Sequence, residues 1–493
     1  MTKLNFYYDE SNHDRRLSTK TLNDPNFGKE FTTAIIGFSD EDKAILESKF
    51  YELKALRKNK SDLDQELKGN KTFKTKSLEY GFHSLTKNNI TFVNDFIDLF
   101  TENIYVYIGS FNKMETIIHR ILPSDIFTPG SDRNHLRYSI AKYLEDYFPK
   151  SLINELEKPS RRFVIHLKNS IESKLNELEA LFKSNPEKYG HKISQIEAYT
   201  NIVDNLKSEV STRTIETHWD HTQPFYGFNK FLSDLNISDY SLTLDKGSNS
   251  KTVAKKAGLK NVDEDDSENS IGIQIADLLV ALISKLESAL NNDLQLKIAS
   301  NDHTFNNINL KWFDLNQDQF NLYVKLNDIL SKFNFSQFKL STSMNSSSLT
   351  YLYVLINTIG NYKSFENYKS INKNKDVRLN LLRNEFNNRY QDAIMDYFNA
   401  ISTYGSIYTT TVKIQRFALT TRPSYTLHDI QTNQCVKIMN EDGKDVTSSL
   451  IRSYNLPQSI TELTIEGNPL TSHIVDTIEI LNYPAFKIKP YLK

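Results

Sequence analysis

Two carboxylates near the N-terminus follow directly after an apolar and aromatic run. Residues 4–8 read Leu-Asn-Phe-Tyr-Tyr, which is typical of a β-strand, and Asp9, Glu10 and Ser11 come next. Alternation along such a strand places Tyr7 and Asp9 on one face. An acid at the end of a strand lies at the sheet edge where α/β proteins bind their ligands. A surface β-turn has the same residue types, so this stretch alone leaves both interpretations open.

A second acid, Asp277, lies within residues 271–290, the most apolar helix predicted in the N-terminal half of the chain. Gln274 precedes it by one helical turn on the same side. A carboxylate buried on an apolar helix needs a cation, a hydrogen-bond donor or a shifted pKa, which would make Asp277 a functional residue. The alternative is that Asp277 lies on the exposed stripe of the helix as an ordinary surface acid.

Composition and charge exclude several classes of protein. The length of 493 residues predicts two or three domains. The 60 Lys and Arg nearly balance the 61 Asp and Glu, so no overall electrostatic field favours binding to nucleic acid or membrane. This balance is compatible with a local basic groove. The single cysteine, Cys435, excludes a disulfide framework within the chain and a multi-cysteine zinc site. There is no P-loop motif, no apolar run of membrane length and no signal-peptide core, so we expect a soluble, cytoplasmic protein.

The hydrophobic pattern predicts an α/β domain with a helical insertion. Strands are predicted at 4–8, 31–38, 103–108, 211–220 and 240–244, and helices at 40–59, 89–100, 225–235 and 271–290. The charged stretch from 245 to 270 is predicted to be a loop. We expect residues 1–110 and 211–295 to form the α/β domain and residues 111–210 to form the insertion, with two long helices that meet near Pro186.

The remaining chain has a different character. Residues 300–400 are predicted to be helical, broken by a Ser/Asn loop at 341–348, and residues 401–493 to be a small β-rich region with strands at 406–417, 435–439, 462–465 and 474–480. The long apolar stripes of the insertion must be covered. We therefore expect the helical C-terminal half to dock on the insertion or on a second protomer, which would make a homo-oligomer or a partner protein part of the assembly.

The order of strands and helices over residues 1–295 broadly matches a ribonuclease-H-like mixed sheet. Four short motifs then carry a resemblance to a family of bacterial domains of unknown function, the one numbered 3800 (DUF3800), over roughly residues 1–290. They are Tyr8–Ser11, Glu66–Lys68, His218–Asp220 and Gln274–Asp277. The chain departs from the family pattern at Asn12, where the family has glycine, so the turn after β-strand 4–8 is expected to differ in geometry.

The resemblance implies a metal-dependent nuclease associated with bacterial abortive infection, a form of phage defence. Carried over by position, it implies that Mg²⁺ or Mn²⁺ binds to four acids, Asp9, Glu66, Asp220 and Asp277. Two such ions can activate water and stabilise the leaving oxygen when a phosphodiester bond of DNA or RNA is hydrolysed. Lys68 would contact the scissile phosphate or pair with Glu66.

Several of these assignments keep alternatives. The acids Asp62, Asp64 and Glu79 compete with Glu66, and Asp245 competes with Asp220, which is preferred because it shares a strand face with His218. His218 and His221 would act as ligand or proton shuttle, or have a structural role. A catalytically inactive scaffold that binds nucleic acid or protein would keep the same fold, with its acids scattered or each paired to a basic residue. An enzyme acting on a small phosphate ester would differ only in the width of its pocket.

Overall fold

The computed structural model describes two compact units, which divide after Gln391. The residues it describes are 3–11, 21, 29–57, 66–122, 126–129, 131, 133–147, 149–157, 162–186, 193–207, 222–246, 250–299, 308–332, 338–342, 347–404, 419–421, 425–427, 438–440 and 486–488. The predicted strand at 211–220, including His218 and Asp220, lies outside them, as do Asn12, His221, Asp62 and Asp64.

A mixed β-sheet is the centre of the first unit. Its described strands are β1 (Leu4–Ser11), β2 (Glu30–Ser39), β3 (Glu79–Phe82), β4 (Tyr105–Asn112), β5 (Tyr240–Asp245), β6 (Val262–Asp265) and β7 (Phe338–Thr342). Five strands have the order β6-β5-β1-β2-β4, and β7 extends the sheet beside β4, whereas β3 lies outside it. Only β2 runs antiparallel to its neighbours β1 and β4; the other neighbouring pairs are parallel.

Helices cover both faces of this sheet. The described helices around it are α1 (Asp40–Ala55), α2 (Gly69–Thr72), α3 (Lys87–Ile97), then, after the insertion, α9 (Thr222–Asp234), α10 (Ser250–Lys256) and α11 (Ile271–Ala299). Phe6 and Tyr8 of β1 are buried against α9 and α10. Tyr7 points to the other face, where it packs so closely on α11 that a Cβ added to Gly272 would lie 2.2 Å from its ring. The predicted alternation along β1 is therefore confirmed, and Asp9 shares the α11 face.

Helix α11 is longer than the predicted 271–290, and it presents a row of polar side chains to the sheet. Asp277, Ser284 and Glu287 lie at spacings of seven and three residues, which keeps them on one side of a helix. The Ser284 hydroxyl is 3.1 Å from the Ser11 hydroxyl at the end of β1, and the Thr32 hydroxyl of β2 donates to Glu287 at 2.8 Å. The row thus follows the edge of the sheet where β1 ends.

The described part of the insertion is mainly helical, with one isolated β-bridge between Phe127 and Leu206. Its helices are α4 (Lys113–Ile121), α5 (Arg133–Tyr147), α6 (Lys150–Glu157), α7 (Phe163–Ser184) and α8 (Ile193–Asn205). These helices share a buried cluster of their own, to which Leu144, Leu167 and Ile202 contribute with less than one per cent exposure. The two predicted long helices are confirmed as α7 and α8, and the apolar stripes of the insertion are covered within the chain. A homo-oligomer stays a prediction.

Residues 308–391 pack against the sheet domain. They contribute α12 (Gln317–Asn327), α13 (Ser347–Gly360), α14 (Phe365–Ser370) and the first part of α15 (Lys375–Tyr404). Helix α13 contacts α11, and α12 contacts α3. The prediction of an all-helical region is wrong at 338–342, because this segment forms β7 and pairs in parallel with Val106–Ser110. Strand β7 includes the first residues of the loop predicted at 341–348, and helix α13 begins at Ser347.

The prediction of a loop from 245 to 270 is also wrong. Helix α10 and strand β6 lie within it. The sequence of β6, Val-Asp-Glu-Asp, lacks apolar alternation because β6 is a short edge strand in which only Val262 is buried. Strand β3 was likewise missed, since a four-residue strand gives too little pattern to detect.

In the second unit the described strands are short and form two separate pairs. Leu419–Thr421 pairs with Tyr425–Leu427, and Ile438–Asn440 pairs with Phe486–Ile488, both antiparallel. The predicted strands at 406–417, 462–465 and 474–480 lie outside the described residues. Within the described part of the chain, no helix is both long and apolar enough to cross a membrane.

Candidate active site

The carboxyl groups of Asp9 and Asp277 are in hydrogen-bond contact. Burial first, and then the negative charge of Asp277, raise the pKa of Asp9 well above its ordinary value. Burial also raises the pKa of Asp277, and the Gly69 amide, the charge of Lys68 and the contact with Asp9 offset this only in part. Both acids therefore have raised pKa values because they are buried side by side. The structure thus brings together two acids 268 positions apart in the sequence, and Asp277 is not on an exposed stripe.

Backbone amides hold both carboxylates in place. Asp9 lies near the end of β1 and is partly buried, and the Glu10 amide donates to its Oδ1 at 2.8 Å. The Gly69 amide donates to Asp277 Oδ2 at 2.7 Å. A Cβ at Gly69 would lie 2.6 Å from both the Asp277 carbonyl oxygen and the Ala281 Cβ, so only glycine allows α2 to approach α11 this closely.

Glu66 and Lys68 lie beside Asp277 because they precede Gly69 directly. Their side chains form an ion pair, in which Glu66 is 8% exposed and Lys68 46% exposed. Burial by itself would lower the pKa of Lys68, but Glu66, then Asp277 and Asp245, outweigh it and raise that pKa. Of the alternatives to Glu66, Glu79 is an exposed residue at the start of β3, and it interacts with Tyr80.

Asp245 lies at the same sheet edge as Asp9. The parallel register pairs Tyr8 with Leu244, so the next residues, Asp9 and Asp245, are neighbours on one face. The negative charge of Asp245 contributes to the raised pKa of Asp9, and its Oδ1 accepts from the Ser267 amide at 3.2 Å. Sequence reasoning ranked it behind Asp220, which lies outside the described residues. The signal for Asp245 was available, since it ends a predicted strand as Asp9 does.

Gln274 joins the segments that carry these acids. It is 1% exposed. Its Nε2 donates to the carbonyl oxygens of Ser267 at 2.8 Å and Glu268 at 3.3 Å, and its Oε1 accepts from the Leu67 amide at 3.4 Å. Leu67 lies between Glu66 and Lys68, and the Ser267 amide bonds to Asp245. Gln274 therefore ties both flanking segments to the helix of Asp277.

The site is an acidic, oxygen-rich edge with one lysine. Within the described residues, no group of three or more acids, histidines or cysteines is already arranged to hold a metal ion. The donor set nevertheless fits a hard divalent cation such as Mg²⁺ or Mn²⁺, because carboxylates are the ligands that these ions prefer. Asp9 and Asp277 are neighbouring acids with raised pKa values, and a cation would relieve the repulsion between their carboxylates.

Comparisons with family models, with curated proteins and with solved structures give no match for this chain. The functional argument therefore depends on the site itself. Its main feature is the direct contact between the end of β1 and helix α11, with acids from β5 and from the segment before α2 around it.

Proposed function

We propose that this protein is a metal-dependent nuclease with a ribonuclease-H-like domain, which hydrolyses phosphodiester bonds of DNA or RNA. The observation that carries the proposal is the contact between Asp9 and Asp277. Buried carboxyl groups in direct contact are costly to maintain, so they concentrate at sites where a cation or a reaction uses them. The order β6-β5-β1-β2-β4, with β2 alone antiparallel, is the arrangement expected of a ribonuclease-H-like sheet and supports the same proposal.

Asp9, Asp277, Glu66 and Asp245 are the described residues that would hold Mg²⁺ or Mn²⁺. Asp220 stays a predicted ligand that lies outside the described residues. When bound, such a cation supplies Lewis-acid stabilisation of negative charge on the phosphate and the leaving oxygen. Lys68 is half exposed, and its ammonium would exchange Glu66 for a substrate phosphate.

A second candidate function is an inactive scaffold of the same fold that binds nucleic acid or protein. The ion pair between Glu66 and Lys68 favours it, because an acid already neutralised by lysine is a weaker metal ligand. The contact between Asp9 and Asp277 favours the nuclease, since in this pair one acid contacts another acid directly.

Purified protein incubated with single- and double-stranded DNA and RNA, with Mg²⁺, Mn²⁺ or EDTA, separates these functions. We expect cleavage that EDTA abolishes and that Asp9→Asn and Asp277→Asn each reduce by at least about a hundredfold. Glu102→Gln, at an exposed acid outside the site, is the matched control and should cleave normally. Undiminished cleavage by Asp9→Asn would exclude this site as the source of the activity. If the protein cleaves none of these substrates, the inactive scaffold is the function that stands.

Membership of the DUF3800 family and a role in abortive infection belong to the same proposal, supported by the motifs around Asp9 and Asp277. Bacteria that express the chain from a plasmid should form fewer phage plaques than cells with the empty vector. The Asp277→Asn variant should restore plaques to the vector level. Equal protection by Asp277→Asn would separate any defence role from the proposed chemistry.

A further inference from the structure

The segment that follows Lys68 is basic and borders the candidate active site. Residues 67–78 contain four lysines and no acid, in a chain whose 60 basic and 61 acidic residues nearly balance overall. Gly69 fixes the beginning of this segment to Asp277 through the 2.7 Å hydrogen bond of its amide. The lysines after it, Lys71, Lys74 and Lys76, are all exposed.

Two buried side chains hold this segment against the protein and leave its lysines outside. Phe73 is 3% exposed and contacts the rings of Phe92 and Phe96 at centroid distances of 6.0 and 6.3 Å. Leu78 is fully buried. Because Gly69, Phe73 and Leu78 anchor the backbone, Lys71, Lys74 and Lys76 have fixed places on a surface segment that begins at the acidic site.

These lysines have no acidic partner in the part of the chain that the structure describes, unlike many other lysines of the protein. Lys174, Lys325 and Lys375, for example, contact carboxylates at 2.6 to 2.8 Å. None of Lys71, Lys74 and Lys76 forms a comparable contact. Clustered like charges repel one another, so a surface of this kind is stabilised by a polyanion.

Lys285 adds a further charge on the same side. It lies one turn after Ala281, the residue on which Gly69 packs. It is half-buried, and burial lowers the pKa of its ammonium. Among the described residues no carboxylate forms an ion pair with Lys285, and a phosphate that accepts its hydrogen bonds would offset the lost hydration.

We propose that Lys71, Lys74 and Lys76 form a track that binds the phosphate backbone of a nucleic-acid strand whose scissile bond lies at Asp9 and Asp277. The proposal rests on the nuclease function, because it is the acidic site beside the track that selects a phosphodiester polymer over other polyanions. The segment from Lys68 to Lys76 contains helix α2 and a 3-10 helix at Thr75–Leu78, in which each residue advances the chain by about 1.5 to 2 Å. A track of this compact kind, on the order of 15–20 Å long, spans two or three phosphates of one strand.

The test is equilibrium binding of a labelled oligonucleotide of mixed sequence, measured by fluorescence anisotropy in EDTA so that nothing is cleaved. The variant is Lys71→Ala/Lys74→Ala/Lys76→Ala, which leaves every acid of the site and Lys68 intact. Each phosphate contact with a single strand contributes about 0.7 to the slope of log affinity against log salt. Loss of three contacts should reduce the slope by about 2, and the affinity at about 0.1 M salt by about a hundredfold.

The matched control removes the same charge from another surface segment, Lys363→Ala/Lys369→Ala/Lys373→Ala, where all three lysines are exposed. It should leave the slope unchanged. With metal present, the variant at 71, 74 and 76 should raise KM for cleavage and keep kcat, since its lysines do not touch the reacting atoms.

Each other outcome overturns the proposal in a recognisable way. If the wild type cleaves nucleic acid but the triple-lysine variant binds the oligonucleotide as the control does, the proposed track is refuted and the nuclease function stands. A variant that loses binding to poly-glutamate but not to the oligonucleotide assigns the surface to an acidic protein. Wild-type protein that neither binds nor cleaves any nucleic acid removes the proposed function, and the track with it.

Discussion

Replacement of Glu287 by glutamine tests the electrostatics of the polar row on α11. Glu287 is 1% exposed and accepts a hydrogen bond from the Thr32 hydroxyl, while its Oε1 has no hydrogen-bond partner among the described residues. Burial, and then the charge of Glu30, raise the pKa of Glu287 from 4.5 to about 8. Hydrogen bonds from Thr32 and Ser110 offset this only in part. The native protein therefore holds Glu287 neutral at pH 7.

The magnitude follows from the pKa values of the two states. An acid whose folded pKa is raised contributes its full stability below the unfolded pKa of 4.5, and that contribution is lost as pH rises through the folded pKa of about 8. At about 1.36 kcal/mol for each unit, the loss reaches about 3 kcal/mol at pH 7 and levels off near about 5 kcal/mol above pH 8. Glutamine stays neutral and can still accept from Thr32, so Glu287→Gln should avoid this loss.

Urea denaturation followed by circular dichroism, at about pH 5, 7 and 8.5, provides the measurement. We expect the advantage of Glu287→Gln in unfolding free energy to be below about 1 kcal/mol at pH 5 and about 3 kcal/mol at pH 7. Glu102→Gln, which removes an exposed carboxylate, should show no such trend. An advantage of Glu287→Gln that does not grow between pH 5 and 8.5 would refute the assignment of a neutral, buried Glu287.

Three further predictions concern the candidate site. Asp9→Asn removes one of two neighbouring acids, so this variant should have a higher melting temperature than the wild type in EDTA. It should also lose any rise in melting temperature that Mn²⁺ gives the wild type, and an unchanged Mn²⁺ effect would contradict metal binding at Asp9. Gly69→Ala forces a Cβ to within 2.6 Å of the Asp277 carbonyl oxygen, and should lower the unfolding free energy by about 1–3 kcal/mol and abolish cleavage, whereas Asn70→Ala, at an exposed position, should do neither. Gln274→Met leaves two carbonyl oxygens without their donor and should cost about 1–3 kcal/mol for each in urea denaturation, and equal stability to wild type would show that these bonds contribute nothing.

The sequence pattern was sufficient to predict those helices and strands whose structure depends on their own residues. Helix α1 begins where Ser39 accepts a hydrogen bond from the Asp42 amide at 3.1 Å, an N-cap that is visible in the sequence Ser-Asp-Glu-Asp. The strand that ends in Asp9 and the helix that carries Asp277 were also predicted, because period-two and period-3.6 burial require nothing beyond neighbouring residues. The two principal acids of the site were therefore found in the sequence.

Pairing between distant segments was not predictable in the same way. Strands β7 and β6 are strands because they pair with β4 and β5, which supply their hydrogen bonds. The sequences of β7 and β6 alone do not identify them as strands. The ranking of Asp245 behind Asp220 had the same origin. Which strand end lies beside Asp9 depends on the parallel register of β5 with β1, which alternation within either strand leaves undetermined.

The sequence by itself determined which residues can carry negative charge at the end of a strand and on an apolar helix. Only the tertiary structure decided that Asp9 and Asp277 touch, and that Gly69, 208 positions before Asp277, supplies the amide that holds it. The physical reason is that a carboxylate's pKa and ligands depend on burial and on charges within a few ångströms, and folding brings those groups from four separate segments. The exposed lysines of 71–76 gain their proposed role in the same way, from the acids that the fold places beside them.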